Sequence, residues 1–234
     1  MTSLTAEIVT DHFKPGDKLP RETDLSERFG VSRGVVRECL RAMEERGLIS
    51  VRHGSGAVVN DSDRWDTLNP DVLSAMLDSP RSVEVLKSYI ECRRILEVEA
   101  AGLAAQRATK EHIEKMTVAL QRMEECIQLQ SDSAAEELFH EADIAFHQAM
   151  IHATRNYALA SLTESIHSAL LQARYPLARP QFRAERSLPE HRRILVAVAA
   201  GDPEEARAAM SAHLETVGDY LEDHATKKGA KRSR

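Results

Sequence analysis

Four polar side chains in the second half of the chain interrupt stripes of apolar residues. Asp143 and His147 are four residues apart in a helical pattern, so both side chains can reach one point. His191 and His213 lie in the apolar stripes of two later helical segments. One carboxylate and three imidazoles suit a divalent transition metal and can leave a coordination position open for another ligand.

Each of these residues also has a purely structural interpretation. The chain has ten histidines, and an inward-facing histidine is commonly a hydrogen-bonded core residue. An aspartate followed by a histidine four residues later is weak evidence alone, but three helices that each place a ligand inward strengthen it. His140, one turn before Asp143, is an alternative ligand, whereas His152 and His167 are less well placed.

A second set of residues could bind nucleic acid. Arg33, Arg37 and Arg41 recur every four residues and form a basic edge on one predicted helix. Arginine pairs with DNA phosphates and with guanine edges. The buried face of the same helix carries Val36, Cys39, Leu40 and Met43. A helix that is buried on one side and basic on another suits the DNA major groove.

An arginine also follows the apolar stripe of the first long helical segment. Val83, Leu86 and Ile90 lead into Arg93 and Glu97. A buried arginine needs a partner. Two interpretations stay open from the residues alone: an intrahelical salt bridge between Arg93 and Glu97, or a guanidinium that holds a ligand carboxylate.

The elements that position the three arginines form a winged helix-turn-helix. Gly30 can end the first helix in a left-handed conformation, and Ser32 can cap the second helix. A strand over 48–51, a flexible turn over 53–56 and a return strand over 57–59 add the wing. An ordinary helical hairpin followed by a β-hairpin, with solvated arginines, is the alternative.

The rest of the chain is predicted to be helical. Probable helices span about 81–107, 110–130, 134–153, 157–174, 188–200 and 203–222. The fold class is therefore mainly α, with an N-terminal winged helix-turn-helix and a C-terminal all-α bundle of six to seven helices. We divide the chain into a DNA-binding domain over 1–60, a linker with a short helix over 61–79, the helical domain over 80–224 and a disordered basic tail over 225–234. Trp65 is expected to pack the linker against one domain.

Composition narrows the class of protein. The chain of 234 residues has a formal net charge of −6, yet residues 1–60 hold nine basic and nine acidic residues. A nucleic-acid site must therefore be a local basic face. The three cysteines are far apart and form no CxxC motif, which indicates a reducing cytoplasm. We expect no signal peptide and no membrane span, since the longest apolar run, 194–200, is too short.

The N-terminal segment resembles the signature of GntR-type transcription regulators. The residues that carry this resemblance are Lys14–Pro20, Gly30–Arg33, Arg37, Glu38 and Leu40. The resemblance implies DNA contacts by Ser32, Arg33, Arg37 and the wing glycine Gly54. Thr23 stands where the family often has an arginine, and Arg21 is the candidate to replace it. Gly34 stands where the family often has a threonine, so the operator sequence is not predicted.

The helical half resembles the FCD ligand-binding domain of the FadR-like branch of that family. In metal-binding members of the domain the ligands are an aspartate, a histidine four residues later, and two further histidines. The resemblance assigns these roles to Asp143, His147, His191 and His213. The segment Glu91–Glu97 resembles one whose first arginine contacts the effector acid, which implies an effector-binding role for Arg93.

These expectations describe a homodimeric transcription regulator, not an enzyme. Two winged heads would bind an inverted-repeat operator, and a small carboxylate effector at the metal site would relieve repression. Trp65 and Asn69–Leu73 resemble members that answer to sugar acids such as aldonates, with lactate and dicarboxylates as alternatives. Acyl-CoA is disfavoured because it does not need a metal cluster. Zinc is the expected metal, with nickel or manganese as alternatives.

Two other functions remain open from the sequence. The first is a metal-dependent enzyme that acts on a small hydroxy acid, although the chain has no HExxH motif and Glu97 is the only candidate general base. The second is a structural metal in a domain that serves only dimerisation.

Overall fold

The computed structural model describes residues 2–52, 56–128, 133–172 and 186–232, with backbone alone at 2, 52, 133, 134, 136, 172 and 221–232. The described residues divide into two compact units. Residues 2–82 and 169–172 form the first, and residues 83–168 and 186–232 form the second. Within these ranges no helix combines the length and the apolar character that crossing a membrane requires.

The first unit is a winged helix-turn-helix. Its elements are α1 (Thr2–Val9), α2 (Glu22–Phe29), α3 (Arg33–Glu45), β1 (Ile49–Arg52), β2 (Gly56–Val59), a short 3-10 turn (Ser62–Arg64) and α4 (Pro70–Leu77). The two strands pair antiparallel, with Ile49 opposite Val59. Gly30 ends α2 at a φ of 64°, and the Ser32 hydroxyl accepts a hydrogen bond from the Val35 N–H. The predicted helices, turn and wing are therefore confirmed, while α1 is an additional helix.

The segment that the sequence assigned to a linker is part of this unit. Trp65 is buried and its Nε1–H donates to the Asn60 carbonyl at 3.3 Å. Val72 on α4 is fully buried in the same apolar core, and Arg46 forms a 2.9 Å ion pair with Asp71. The prediction that Trp65 packs against one domain is confirmed. The short helix predicted within 61–79 is present as α4, and the whole segment packs in the first unit, since the polar run before Trp65 is only one short turn.

The second unit is a bundle of long helices. They are α5 (Ser82–Arg107), α6 (Lys110–Gln128), α7 (Ser133–Ala153), α8 (Tyr157–Gln172), α9 (Leu188–Ala200) and α10 (Pro203–Arg232). Helix α6 packs against α7, and α9 packs against α6 and α10. The core between them is rich in methionine and phenylalanine, including Met116, Met123, Phe146, Met150 and Met210. The predicted all-α bundle is confirmed.

The last helix is longer than expected. Asp202 caps it by accepting a hydrogen bond from the Glu205 N–H at 3.0 Å, which matches the predicted start. Its backbone then stays helical to Arg232, through most of the segment predicted to be a disordered tail. Alanine and lysine dominate residues 225–232, and both are strong helix formers, whereas their charge alone had suggested disorder.

Gly47 provides a test of the packing in the first unit. It has a φ of +72°, and a Cβ there would lie 1.9 Å from the Arg64 carbonyl oxygen. We expect Gly47→Ala to lower the free energy of unfolding by roughly 2 kcal/mol or more in urea denaturation. Gly34→Ala is the matched control, because its Cβ would meet only the Ser32 hydroxyl at 3.7 Å inside a helix. That control should stabilise by up to about 1 kcal/mol, and equal stability of the two variants would contradict the packing.

Candidate metal centre and DNA-binding surface

Three histidines from three helices converge inside the second unit. His147 on α7, His191 on α9 and His213 on α10 each offer a ring nitrogen, and these ligand atoms all lie within 4.8 Å of one another. The Nε2 atoms of His147 and His191 are 3.3 Å apart. The side chains are almost fully buried, at 1%, 0% and 2% exposure. The structure therefore brings together the three predicted histidine ligands.

The apolar core fixes the rings of these histidines. Phe146 is fully buried and meets the His191 ring edge to face, with centroids 4.9 Å apart. The rings of His191 and His213 are closer still, at 4.4 Å between centroids. Packing thus holds the imidazoles close enough together to share one ion.

In each of these histidines the Nδ1 atom lies near an oxygen. His191 Nδ1 is hydrogen-bonded to the Ser187 carbonyl at 2.7 Å and His213 Nδ1 to Glu190 Oε2 at 3.0 Å. His147 Nδ1 lies 2.7 Å from Glu97 Oε2, close enough for an ion pair but without the alignment of a hydrogen bond. An oxygen next to Nδ1 favours the proton on that nitrogen and leaves the Nε2 lone pair free. Histidines that bind metals commonly have this outer contact. The chemistry of the donor set therefore fits a metal ion.

Asp143 adjoins the three histidines. It is not a member of the set within 4.8 Å, but its Oδ1 lies 3.2 Å from His191 Nε2. Burial acts to raise the pKa of Asp143, yet the hydrogen bond to His191 and the nearby imidazoles hold it well below the ordinary range. The carboxylate is therefore ionised at neutral pH. His140, the alternative ligand, does not belong to the converging set in the described part of the chain.

Two of the converging histidines, His147 and His213, are neutral at physiological pH. Burial lowers the pKa of His147 to about 4, although Glu97 acts in the opposite direction. Burial also lowers the pKa of His213 to about 3, and neighbouring His191 adds to the effect. A metal ligand must be the neutral imidazole, so protons do not compete for these nitrogens at pH 7.

Glu97 is the buried carboxylate that supports this centre. Its Oε1 lies 2.6 Å from Arg93 Nε and 2.9 Å from His167 Nε2, and its Oε2 contacts His147. Burial acts to raise the pKa of Glu97, but Arg93, His147 and His167 hold it well below the usual value. Of the two interpretations of Arg93, the structure shows the intrahelical salt bridge with Glu97. Sequence reasoning missed His167, because only the fold brings it to a residue 70 positions away.

The DNA-binding candidates lie on the first unit. Ser32 caps α3, and Arg33 and Arg37 are exposed on that helix. Arg37 forms a 2.8 Å ion pair with Glu22, whereas Arg33 pairs with no acidic side chain among the described residues. Arg21 is exposed at the start of α2. Gly54 lies outside the described residues.

The buried face of α3 is as predicted. Val36, Leu40 and Met43 are buried in the apolar core of the first unit, and Cys39 is half-buried. The helix therefore presents its arginines on the side that faces away from the core. The sequence pattern of an apolar stripe beside a basic edge is confirmed as the geometry of this helix.

The comparison with known families decides the class of protein. Residues 1–59 match the family described as bacterial regulatory proteins, gntR family, and residues 88–216 match the FCD domain. This chain is a member of the GntR family. It is a DNA-binding transcription regulator and not an enzyme, as the sequence analysis expected.

Curated relatives agree with this assignment. The HTH-type transcriptional regulator LutR of Bacillus subtilis is 36% identical over 219 residues, which cover 92% of this chain and 95% of the relative. The Uxu operon transcriptional regulator of Escherichia coli is 33% identical, over 92% and 82% of the two chains. The galactonate operon transcriptional repressor of Escherichia coli is 31% identical, over 71% and 70%.

Solved structures share the fold of this GntR regulator. Lar, which controls the expression of the Listeria monocytogenes agr system, superposes with a TM-score of 0.60 at 19% identity, over 94% of this chain and 96% of that one. A GntR protein of Streptococcus agalactiae gives a TM-score of 0.52 at 24% identity, over 94% and 99%.

Arg33 is the clearest test of the DNA-binding surface. We expect Arg33→Ala to weaken binding to a duplex selected from a random library by the wild-type protein by about 5- to 150-fold, as loss of one arginine contact does. Fluorescence anisotropy at fixed salt measures this. Arg122→Ala, an exposed arginine on α6, is the control and should bind like the wild type. Equal binding by both variants would remove α3 from the interface.

The buried histidines predict an acid-sensitive second unit. Between about pH 6.5 and pH 4 an unfolded chain protonates these imidazoles, whereas folded His147 and His213 stay neutral. Acid therefore favours unfolding, by about 1.4 kcal/mol per pH unit for each such histidine. With a chelator present, thermal unfolding should shift downward as the pH falls through this window. His213→Asn should flatten the dependence and His152→Asn, an exposed control, should not. A pH-independent midpoint for the wild type would contradict the buried neutral state.

Proposed function

We propose that this regulator is a repressor that senses a small hydroxy acid through a metal ion in its FCD domain. Helix α3 binds the operator, and the histidines of α7, α9 and α10 hold the metal with Asp143 as a further ligand. The observation that carries the proposal is the convergence of three buried imidazoles from three helices, whose ligand atoms all lie within 4.8 Å of one another. This is a metal-binding arrangement within the ligand-binding half of a transcription regulator.

The donor set favours particular metals. Three imidazoles with one carboxylate suit zinc or nickel, and manganese is a weaker match because it prefers oxygen ligands. The bound ion would supply a Lewis-acidic position for the oxygens of an acid. We favour zinc, since the number and type of ligands match its usual sites.

A carboxylate effector fits the charges around the centre. Arg93 stays positively charged: burial is the largest single influence and lowers its pKa, but the charge and hydrogen bond of Glu97, together with the charge of Asp143, raise it overall. Two of its nitrogen atoms face Glu97, and a guanidinium has five N–H donors, so donors remain for a second carboxylate. The similarity to a relative named as a galactonate operon repressor supports a sugar acid as the effector. Galactonate combines a carboxylate with several hydroxyl groups, which suits a site of metal, arginine and imidazole.

The DNA partner follows from the family. We propose that two copies form a homodimer whose two α3 helices bind an inverted-repeat operator, because two-fold symmetric proteins match two-fold symmetric sites. We place the protein in the cytoplasm, where the DNA bound by a bacterial regulator lies. The acid can change DNA affinity only if it binds one arrangement of the dimer more tightly than the other.

Metal content tests the ligand assignment. The purified wild-type protein should carry about one divalent ion per chain by mass spectrometry of the metal, as a site of this kind predicts. His191→Ala and His213→Ala should lose it, while His152→Ala on α7 should keep it. Glu97→Gln retains all three histidines but should lower the metal affinity by about 10- to 100-fold in chelator competition, because the carboxylate next to His147 is lost. Full metal content in the His191 and His213 variants would show that the site is elsewhere.

Release of DNA tests the sensing function. D-Galactonate should lower the anisotropy of a bound operator duplex in the zinc-loaded wild-type protein. His213→Ala should still bind the duplex but not respond, since α3 lies in the other unit. If the wild-type protein retains metal and no hydroxy acid changes either DNA binding or thermal stability, the metal is structural and the sensing proposal is wrong.

A further inference from the structure

His167 on α8 is buried, and only one of its two ring nitrogens has a hydrogen-bond partner among the described residues. Its side chain is 6% exposed, and its Nε2 lies 2.9 Å from Glu97 Oε1. Its Nδ1 is buried too, and it has no hydrogen-bond partner among the residues that the structure describes. A buried polar atom without a partner is costly, so such an atom in a folded protein usually has a role.

The contact with Glu97 fixes the chemistry of the unpartnered nitrogen. Glu97 is ionised, so it accepts a hydrogen bond and His167 Nε2 carries the proton. In the tautomer with its proton on Nε2, the other ring nitrogen has a lone pair and no hydrogen. His167 Nδ1 is therefore an acceptor that needs a donor. A carboxylate cannot supply one, whereas a hydroxyl group can.

His167 belongs to the same group of rings as the metal centre. Its ring centroid lies 5.7 Å from that of His147, close to the 5.3 and 5.4 Å that separate His147 from His191 and His213. It is nevertheless outside the set whose ligand atoms converge. The ring that carries this acceptor therefore adjoins His147, one of the three histidines whose ligand atoms converge.

We propose that His167 Nδ1 accepts a hydrogen bond from a hydroxyl group of the effector and so selects hydroxy acids over plain carboxylic acids. This inference rests on the proposed function, because it assumes that an acid binds beside the metal. The metal and Arg93 recognise the carboxylate, and His167 recognises a hydroxyl. A site that hydrogen-bonds a substrate hydroxyl discriminates strongly against the analogue that lacks it.

Two substitutions separate this role from simple support of Glu97. In His167→Gln the side-chain amide takes the place of Nε2, so a donor to Glu97 remains and the acceptor at Nδ1 is removed. In His167→Asn the amide takes the place of Nδ1, so an acceptor remains and the contact with Glu97 is lost. The probes are D-galactonate and hexanoate, an acid of equal chain length without hydroxyl groups. Titration calorimetry with the zinc-loaded full-length protein gives the affinities.

We expect wild-type protein to bind D-galactonate more tightly than hexanoate. His167→Gln should weaken the binding of D-galactonate by about 10-fold or more. The binding of hexanoate should weaken far less, and the binding of zinc should also weaken less than that of D-galactonate. His167→Asn should weaken zinc in chelator competition while keeping more of the preference for D-galactonate. Circular dichroism and thermal melts confirm that each variant is folded.

The experiments distinguish a failure of this inference from a failure of the proposed function. If the wild-type protein prefers D-galactonate and His167→Gln keeps that preference, the inference is wrong and a buried water or another residue satisfies Nδ1. If only His167→Asn changes binding, His167 is a positioning residue for Glu97. If the wild-type protein binds neither D-galactonate nor lactate, the proposed function fails and this inference fails with it.

Discussion

One buried carboxylate organises the regulatory half of this protein. Glu97 is fully buried, and its two oxygens contact Arg93, His147 and His167. A buried charge is tolerated only when its partners compensate for the loss of water. These partners come from α5, α7 and α8, so the charge ties three helices together. Because removal of one partner would leave an uncompensated charge, the arrangement of the three helices is tightly specified.

The same carboxylate also adjoins the proposed metal centre. Its Oε2 lies 2.7 Å from His147 Nδ1, while the Nε2 atoms of His147 and His191 approach each other and His191 Nδ1 is hydrogen-bonded to the Ser187 carbonyl. Burial keeps His147 and His213 neutral, and Phe146 packs edge to face on the His191 ring. Burying three close imidazoles and two ionised carboxylates costs free energy. A bound cation would offset that cost, because it interacts favourably with each of these groups.

The sequence predicted those features that recur with the period of a helix. The inward stripes predicted His147, His191 and His213, and the cap and turn residues predicted α2 and α3. It did not reach contacts across the fold. Glu97 entered as a partner of Arg93 and as a candidate general base, but not as a partner of His147 or His167, and His167 was ranked low, because no periodicity links α5 to α8. The packing of the segment 61–79 was not predicted for a related reason: Trp65 and Val72 are buried in a core that residues of α1 and α3 share.

In the site we propose, three imidazole nitrogens and no sulfur bind the metal. X-ray absorption at the zinc edge of the metal-loaded protein tests this directly. We expect a shell of about four nitrogen and oxygen atoms near 2.0–2.1 Å, with outer-shell scattering from about three imidazoles. A sulfur shell near 2.3 Å, or a shell of oxygens with no imidazole scattering, would contradict it.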